Sequence, residues 1–213
     1  MLPHYYTIKE NGQHVIEIKK SRFICTLQRI ESEEDAKELI QALKKEHWKA
    51  NHNCHAYVLG DNQDIQRSSD DGEPSGTAGI PMLEVLKVKE LRNVIAVVTR
   101  YFGGTKLGAG GLIRAYSQSV SSALEEIGLV KGVLKQALII SLDYGTHGKL
   151  EHYINNTEDI ILDETLFTDK VTVTLYVDEE HTEKYTKDII NLLSNQCTIT
   201  QGETKYVEVD IPL

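Results

Sequence analysis

The sequence predicts an α+β protein built from two domains. Apolar residues alternate in some segments with the period of a strand and recur in others with the period of a helix. The last third of the chain, from about residue 137, has the predicted element order β-α-β-β-α-β of a ferredoxin-like unit. The chain has 213 residues, 40% of them hydrophobic and 26% charged, which suffices for two small folded domains. We place the boundary in a linker near 128–136, which gives domains 1–134 and 135–213.

The composition argues against membrane and secreted classes of protein. The longest apolar run is Val94–Val98, whereas a helix that spans a bilayer needs about 20 apolar residues. No secretory signal is expected, because Met1–Tyr6 has neither a basic start nor an apolar core. Cys25, Cys54 and Cys197 form no close pair, which favours a reducing compartment over a disulfide framework. We therefore expect a cytoplasmic protein without a membrane partner.

The first predicted elements are a strand and a capped helix. The strand covers 21–28, where apolar residues alternate with more polar neighbours. A helix is predicted over 33–47, because apolar residues recur there at helical spacing and Ser32 with Asp35 resembles a capping box. The alternating residues of the strand are Phe23, Cys25 and Leu27.

The middle of the chain alternates short apolar runs with loops. A strand is predicted over 54–59, followed by a long polar loop over 60–79 that is rich in Gly, Ser and Asp. Pro81 fits the first turn of a helix, and Val94–Thr99 is a β-branched run typical of a strand buried on both faces.

A glycine loop, residues 103–111, separates this buried strand from a second long helix. The helix is predicted to end at Ile127, with Gly128 as its stop. Its apolar stripe comprises Leu112, Ile113, Tyr116, Val120, Leu124 and Ile127. The C-terminal elements are predicted as strand 137–142, helix 147–155, strand 159–162, strand 171–177, helix 182–193 and strand 205–211.

Charge is distributed unevenly along the chain. Residues 137–213 contain 5 Lys and Arg against 15 Asp and Glu, whereas residues 1–136 contain 18 against 17. Leu91–Leu124 contains four basic residues and no acidic residue. An anionic partner is therefore expected at the middle of the chain, and the acidic C-terminal domain suits a protein partner instead.

The glycine loop is a candidate anion site. A buried strand, glycines with a lysine, and a helix N-terminus together present free backbone N–H groups and a helix dipole to a ligand. Arg100, Lys106 and Arg114 would add positive charge. The sequence fits neither a Walker A loop nor a dinucleotide fingerprint, and the alternative is that the glycines serve only turns and packing. The glycines are Gly103, Gly104, Gly108, Gly110 and Gly111.

An acidic loop, residues 68–79, contains the candidate catalytic residues Asp71 and Glu73 beside Asp70. Such a cluster could hold Mg²⁺ through water or supply an acid–base pair, with His55 as a proton carrier. It could equally be a turn whose carboxylates bond the backbone and pair with nearby basic residues. The spacing of cysteines and histidines does not fit a structural zinc site, so no metal ligand set is assigned.

Two aromatic residues follow Arg100 directly, in the run Arg100–Phe102. If exposed, they could stack on unpaired bases, and if buried, they belong to the core. Nucleophilic catalysis is weakly supported, since no G-x-S-x-G elbow occurs and a cysteine beside histidines in sequence is not a dyad.

Four motifs together resemble the IMPACT family, most closely its bacterial branch: Lys20–Phe23, His55–Tyr57, Asp70–Gly79 and Arg100–Tyr116. The resemblance implies an N-terminal domain like the second domain of small-subunit ribosomal protein five. It also implies a ferredoxin-like C-terminal domain like the fifth domain of elongation factor G, and thus a link to RNA or ribosome binding. The family's shared residues map onto Arg22, His55, Asp70, Asp71, Glu73, Arg100, Lys106 and Arg114.

The resemblance implies translation regulation for eukaryotic members, which carry an additional RWD domain that this sequence does not show. The leading hypothesis is therefore a non-enzymatic, translation-associated protein that binds RNA or ribosomal phosphates without a cofactor. The rival is an enzyme or binding protein for a small phosphorylated or nucleotide ligand, with Mg²⁺ as a candidate cofactor. The third is a protein-binding adaptor, which leaves the glycine loop explained by packing alone.

Overall fold

The computed structural model describes residues 2–211, which form two compact units. One unit is built mainly from Tyr5–Lys131 and the other mainly from Gly132–Glu208, each with a few residues from the opposite end of the chain. Both units combine helices with sheets, so the predicted α+β class in two domains is confirmed. Within the described residues, no helix is both long and apolar enough to cross a membrane.

The N-terminal unit contains a five-stranded antiparallel sheet with the order β2-β3-β6-β4-β5. The elements up to the end of this unit are β1 (His4–Ile8), β2 (Gly12–Ile18), β3 (Ser21–Arg29), α1 (Glu33–Glu46), β4 (His52–Leu59), β5 (Ile65–Ser69), α2 (Gly79–Val88), β6 (Val94–Tyr101) and α3 (Gly108–Ile127).

Strand β6 is central and is buried on both faces, as its continuous apolar run predicts. Val94, Ala96 and Val98 face a core that includes residues of α2 and α3, whereas Ile95 and Val97 face a separate core with α1. Successive side chains of a strand point to opposite faces, so α1 covers one side of the sheet and α2 with α3 covers the other. The carboxyl end of β6 leads directly toward the start of α3.

The helix α1 begins as the sequence predicts. The Ser32 side chain accepts a hydrogen bond from the Asp35 backbone N–H, and the Asp35 carboxylate accepts one from the Ser32 N–H. Asp therefore replaces the usual Glu of a capping box without loss of either bond.

Three expectations about the elements are wrong. The polar segment 60–79 is not entirely a loop, because β5 lies within it and pairs with β4. The segment 128–136 contains the division between the two units, after Lys131, but it is not a linker, because its residues from Leu129 onward belong to the long strand β7 (Leu129–Leu142). Ile113, assigned to the apolar stripe of α3, is 42% exposed.

The C-terminal unit has the predicted element order β-α-β-β-α-β. Strand β8 pairs with β9, β9 with β7, and β7 with β10. Alternate residues of β7 and β9 build a core with both helices. The elements after β7 are α4 (Tyr144–Asn155), β8 (Ile161–Phe167), β9 (Val171–Asp178), α5 (Thr182–Leu192) and β10 (Cys197–Ile211).

Candidate anion site

A buried ion pair lies where β6 ends. Arg100 is 5% exposed and donates from Nη1 to Oε1 of Glu73, which is 8% exposed, over 2.7 Å. Its Nη2 donates to the Ser21 hydroxyl over 3.3 Å. Arg100 is predicted from the sequence to be one of the anion-binding cations, but its charge is offset by the carboxylate of Glu73. Arg100 is therefore not a free cation for an external phosphate.

Glu73 connects this ion pair to further polar groups. The Tyr116 hydroxyl donates to the same Oε1 over 2.7 Å, and His52 Nε2 lies 3.6 Å from Oε2. Burial, together with the neighbouring carboxylate, raises the pKa of Tyr116, so the phenol stays neutral. No sequence pattern predicts the proximity of His52 to Glu73, because the two residues are far apart in the chain and meet only in the fold.

Cys54 adjoins this network but is not activated. Its thiol lies 2.9 Å from the Asp70 carbonyl oxygen and 3.4 Å from the Tyr116 hydroxyl. Burial raises the pKa of the Cys54 thiol to about 12, so the nucleophilic thiolate is absent at neutral pH. Cys54 therefore acts as a core residue.

The acidic loop is held by its own carboxylates. Asp70 accepts backbone hydrogen bonds from Gly76, Ala78 and Gly79 at 2.8–3.1 Å. Asp71 accepts from the Asn53 N–H and from Lys44 Nζ, both over 2.7 Å. These contacts match the interpretation of the loop as a turn with charge pairing, and they leave Asp71 outside the cluster around Glu73 and Arg100.

Asp70→Asn is expected to destabilise the protein at neutral pH by about 1 kcal/mol, because hydrogen bonds to the charged carboxylate are weakened. Burial acts to raise the pKa of Asp70, but the three backbone hydrogen bonds outweigh it and hold the pKa below its ordinary 3.8. This stabilisation is present above pH 3.8 and is lost as the pH falls through the lower folded-state pKa. Urea unfolding should therefore show a gap between wild type and variant at pH 7 that narrows toward pH 3. A gap that is constant with pH would contradict this, and exposed Glu125→Gln is the control.

His55 does not join Glu73. It is half-buried, its ring stacks on Tyr57 at 6.3 Å between centroids, and its Nδ1 is buried without a hydrogen-bond partner among the described residues. Burial is the main cause that lowers the pKa of His55. Of the three candidate catalytic residues, the structure therefore places only Glu73 beside Arg100, whereas the Asp71 carboxylate pairs with Lys44.

Three of the candidate anion-binding cations are exposed: Arg22, Lys106 and Arg114. Among the residues that the structure describes, none of the three has a carboxylate within 4.0 Å. Arg22 is nevertheless separated from the other two. Its neighbour Phe23 belongs to the core with α2 and α3, so the Arg22 side chain points to the opposite side of the sheet, which α1 covers, and it lies opposite Glu17 of β2. The role of Arg22 in the anion site, expected from the sequence, is therefore wrong. We call Lys106, Arg114 and the first turn of α3 the cationic face.

The glycines of the glycine loop divide into two groups. A Cβ on Gly103 would lie 2.0 Å from the Lys20 carbonyl carbon, and the Gly103 N–H already donates to the Ser21 hydroxyl over 3.1 Å. Gly103 therefore serves close packing and offers no free amide, unlike the anion role assigned to it from the sequence. Gly104 turns the chain at φ +87°, with open space around it. Gly108, Gly110 and Gly111 lie in the first turn of α3, whose N-cap residue Leu107 provides no side-chain cap.

A cavity of about 340 Å³ opens between this first turn and the buried ion pair. Its floor includes Glu73 and Arg100, and its sides carry Lys106 and Phe102. Uncapped helix N–H groups and a lysine are groups that bind anions. The remaining lining residues are Pro74, Leu107, Gly108, Ala109 and Leu112.

In the C-terminal unit, Asp178, Glu180 and His181 bring ligand atoms within 4.8 Å of one another. Lys135 forms an ion pair with Asp178 and so competes with any cation there. The cluster has no further observation that points to a metal.

Comparison with known proteins matches both units. Residues 19–124 match the Impact N-terminal domain and residues 140–196 match a domain of unknown function, DUF1949. The chain is 50% identical to the IMPACT family member YvyE of Bacillus subtilis, covering 98% of this chain and 95% of that protein. It is 47% identical to the IMPACT family member YigZ of Escherichia coli over 53% of this chain and 56% of that protein. The crystal structure of a hypothetical protein aligns over 95% of this chain and 99% of that chain with TM-score 0.59 and 29% identity.

Proposed function

The chain belongs to the IMPACT family, and from that premise we propose that it is a cytoplasmic, translation-associated regulator. In this proposal the N-terminal unit binds phosphates of RNA, free or within the ribosome, through the cationic face. The link to translation follows the family resemblance, and the phosphate contacts follow the geometry of α3.

The observation that carries the proposal is the contrast among the basic residues. Arg100 is paired with Glu73, whereas Lys106 and Arg114 are exposed without a carboxylate within 4.0 Å among the described residues. No acidic residue occurs between Leu91 and Leu124 to offset them in sequence. Unpaired cations beside uncapped helix N–H groups attract negatively charged oxygens and give salt-dependent affinity for nucleic acids.

The order and pairing of the elements support a more specific proposal about the folds of the two units. We propose that the N-terminal unit is like the second domain of small-subunit ribosomal protein five. The C-terminal unit, with its β-α-β-β-α-β order and its pairing of β10 with β7 and β7 with β9, is proposed to be ferredoxin-like, as in the fifth domain of elongation factor G. With 15 acidic against 5 basic residues over 137–213, it would face a protein partner instead of RNA.

One observation favours the second candidate, a protein for a small phosphorylated ligand: the cavity of about 340 Å³ beside Lys106 has the size of small-molecule sites. His55 and Asp71 do not line it, and Glu73 is held by Arg100 and Tyr116. The residues around the cavity therefore support binding of such a ligand more than acid–base catalysis on it.

Lys106→Ala and Arg114→Ala are each expected to weaken RNA binding several-fold at low salt, because each removes one cation of the cationic face. With two phosphate contacts, from Lys106 and Arg114, wild-type affinity for single-stranded RNA should fall about sevenfold between 50 and 200 mM salt. Each variant should reduce the slope of log affinity against log salt by about 0.7. Fluorescence anisotropy titrations of labelled RNA at several salt concentrations measure both quantities.

The matched control is Lys45→Ala. Lys45 is exposed on α1, which covers the opposite side of the sheet from α3. This variant removes the same charge and should leave the salt slope at the wild-type value. If all three substitutions weaken RNA binding equally, affinity responds to net charge alone, and the assignment of the cationic face as the binding site is contradicted.

A further inference from the structure

The cavity beside α3 combines three kinds of surface that one ligand could use together. Lys106 and the first turn of α3 form a basic, amide-rich wall. Phe102 and Leu107 form an apolar wall, and the Arg100–Glu73 pair forms the floor. Because the charges of the pair offset each other, Lys106 leaves the cavity with net positive charge.

Arg100 has an unused donor close to this cavity. Its Nη1 and Nη2 are bonded to Glu73 and Ser21, but its Nε–H is buried and has no partner within the described residues. Buried donors in proteins nearly always have an acceptor, so the polar groups of the cavity floor are not fully satisfied by the protein.

Phe102 supplies an aromatic surface at the same cavity. The ring is 46% exposed, although its backbone N–H is fixed by the Asn51 side chain over 2.8 Å. The Arg100 guanidinium lies between two rings, 5.4 Å from the Phe23 centroid and 5.6 Å from the Phe102 centroid. An exposed ring beside cations is a platform on which a nucleobase can stack.

From these surfaces we propose that the cavity binds one unpaired nucleotide, with its phosphate at Lys106 and the first turn of α3 and its base on Phe102. The inference rests on the proposed RNA-binding function and adds a preference to it. Bases inside a duplex are already stacked and paired, so only a single-stranded region presents a base to Phe102. The exposed cation Arg114, outside the cavity lining, would contact a neighbouring phosphate without regard to strandedness.

The test compares a labelled oligouridylate, alone and paired with oligoadenylate, on wild type, Phe102→Ala and Phe102→Tyr. Wild type should bind the single strand more tightly than the duplex. Phe102→Ala should weaken single-strand binding about tenfold, within the range measured for loss of base–aromatic stacking, and leave duplex binding unchanged. Phe102→Tyr keeps the ring and should retain single-strand affinity. Because Phe102 is exposed, the alanine variant should fold, and circular dichroism checks this.

A competition experiment with uridine 5′-monophosphate shows whether the cavity binds free nucleotides or only nucleotides within a strand. The compound is added to wild type and to Phe102→Ala, each with the same fraction of oligonucleotide bound. If it displaces the oligonucleotide from wild type at concentrations that displace none from Phe102→Ala, the result would support the pocket and show that it also binds free nucleotides. Phe102-dependent single-strand binding without displacement would support the pocket as a site for nucleotides within a strand.

Two results would overturn the inference in distinguishable ways. If Phe102→Ala binds the single strand as wild type does while Arg114→Ala still weakens it, the pocket is wrong and the cationic face stands. If wild type binds neither RNA at low salt, the proposed function fails and the inference fails with it.

Discussion

Arg100→Ala is expected to destabilise the N-terminal unit by about 3–5 kcal/mol, the usual cost of removing one partner of a buried ion pair. The reason is that Glu73 remains as a buried carboxylate, with a hydrogen bond from the Tyr116 hydroxyl and with His52 Nε2 at 3.6 Å. The hydrogen bond from Arg100 to Ser21 is also lost. Urea unfolding followed by circular dichroism measures the change in the free energy of unfolding.

Two further variants separate this effect from simple loss of charge. Arg114→Ala removes an exposed arginine nearby and should change stability by less than about 0.5 kcal/mol. The double variant Arg100→Met with Glu73→Leu removes both charges and should be more stable than Arg100→Met alone, since no unpaired carboxylate remains buried. A double variant less stable than the single one would show that uncompensated charge is not the cause.

Gly103→Ala is expected to destabilise the protein by about 3 kcal/mol, at the upper end of overpacking substitutions. Its Cβ would lie 2.0 Å from the Lys20 carbonyl carbon and 2.4 Å from the Ser21 nitrogen. Both are backbone atoms, so relief requires a movement of β3 against the end of β6 and cannot come from a side-chain rotation. The same movement would disturb the Ser21 hydroxyl, which accepts from Arg100 and from the Gly103 N–H.

Gly110→Ala is the matched control, and its effect on the free energy of unfolding should not be destabilising. The nearest atom to a Cβ there is the end of the flexible Arg114 side chain at 4.0 Å. Alanine is favoured over glycine in a helix by up to about 1 kcal/mol, so the variant should be equally or more stable than wild type in the same urea experiment. Similar destabilisation by both substitutions would contradict the assignment of Gly103 to packing and of Gly110 to the helix turn.

Local sequence patterns predict the elements that have strong local signals. The capping box before α1, the buried run of β6 and Gly128 after α3 all appear where predicted, because each signal acts within a few residues. Strand β5 has no such signal, since it is a polar edge strand held by backbone pairing with β4. The start of β7 is not predicted, because Gly132 is typical of a loop, although buried residues lie on both sides of it in the strand.

The candidate site is predicted only in part, for a similar reason. The cluster of basic residues and glycines before α3 is visible in sequence, and Lys106 and Arg114 are exposed as an anion site requires. The neutralisation of Arg100 depends on Glu73, which is 27 positions away and reaches it only through the folded acidic loop. Counting charges along a segment does not show which of them are paired in space.

The first turn of α3 has a low intrinsic tendency to be helical. Three of its first four residues are glycine, and each disfavours the helix by about 1 kcal/mol relative to alanine. The later turns are fixed by buried residues such as Tyr116 and Val120. The helix is thus anchored at its far end while its beginning can fray and re-form at little cost, which suits the proposed binding of phosphate oxygens in more than one geometry.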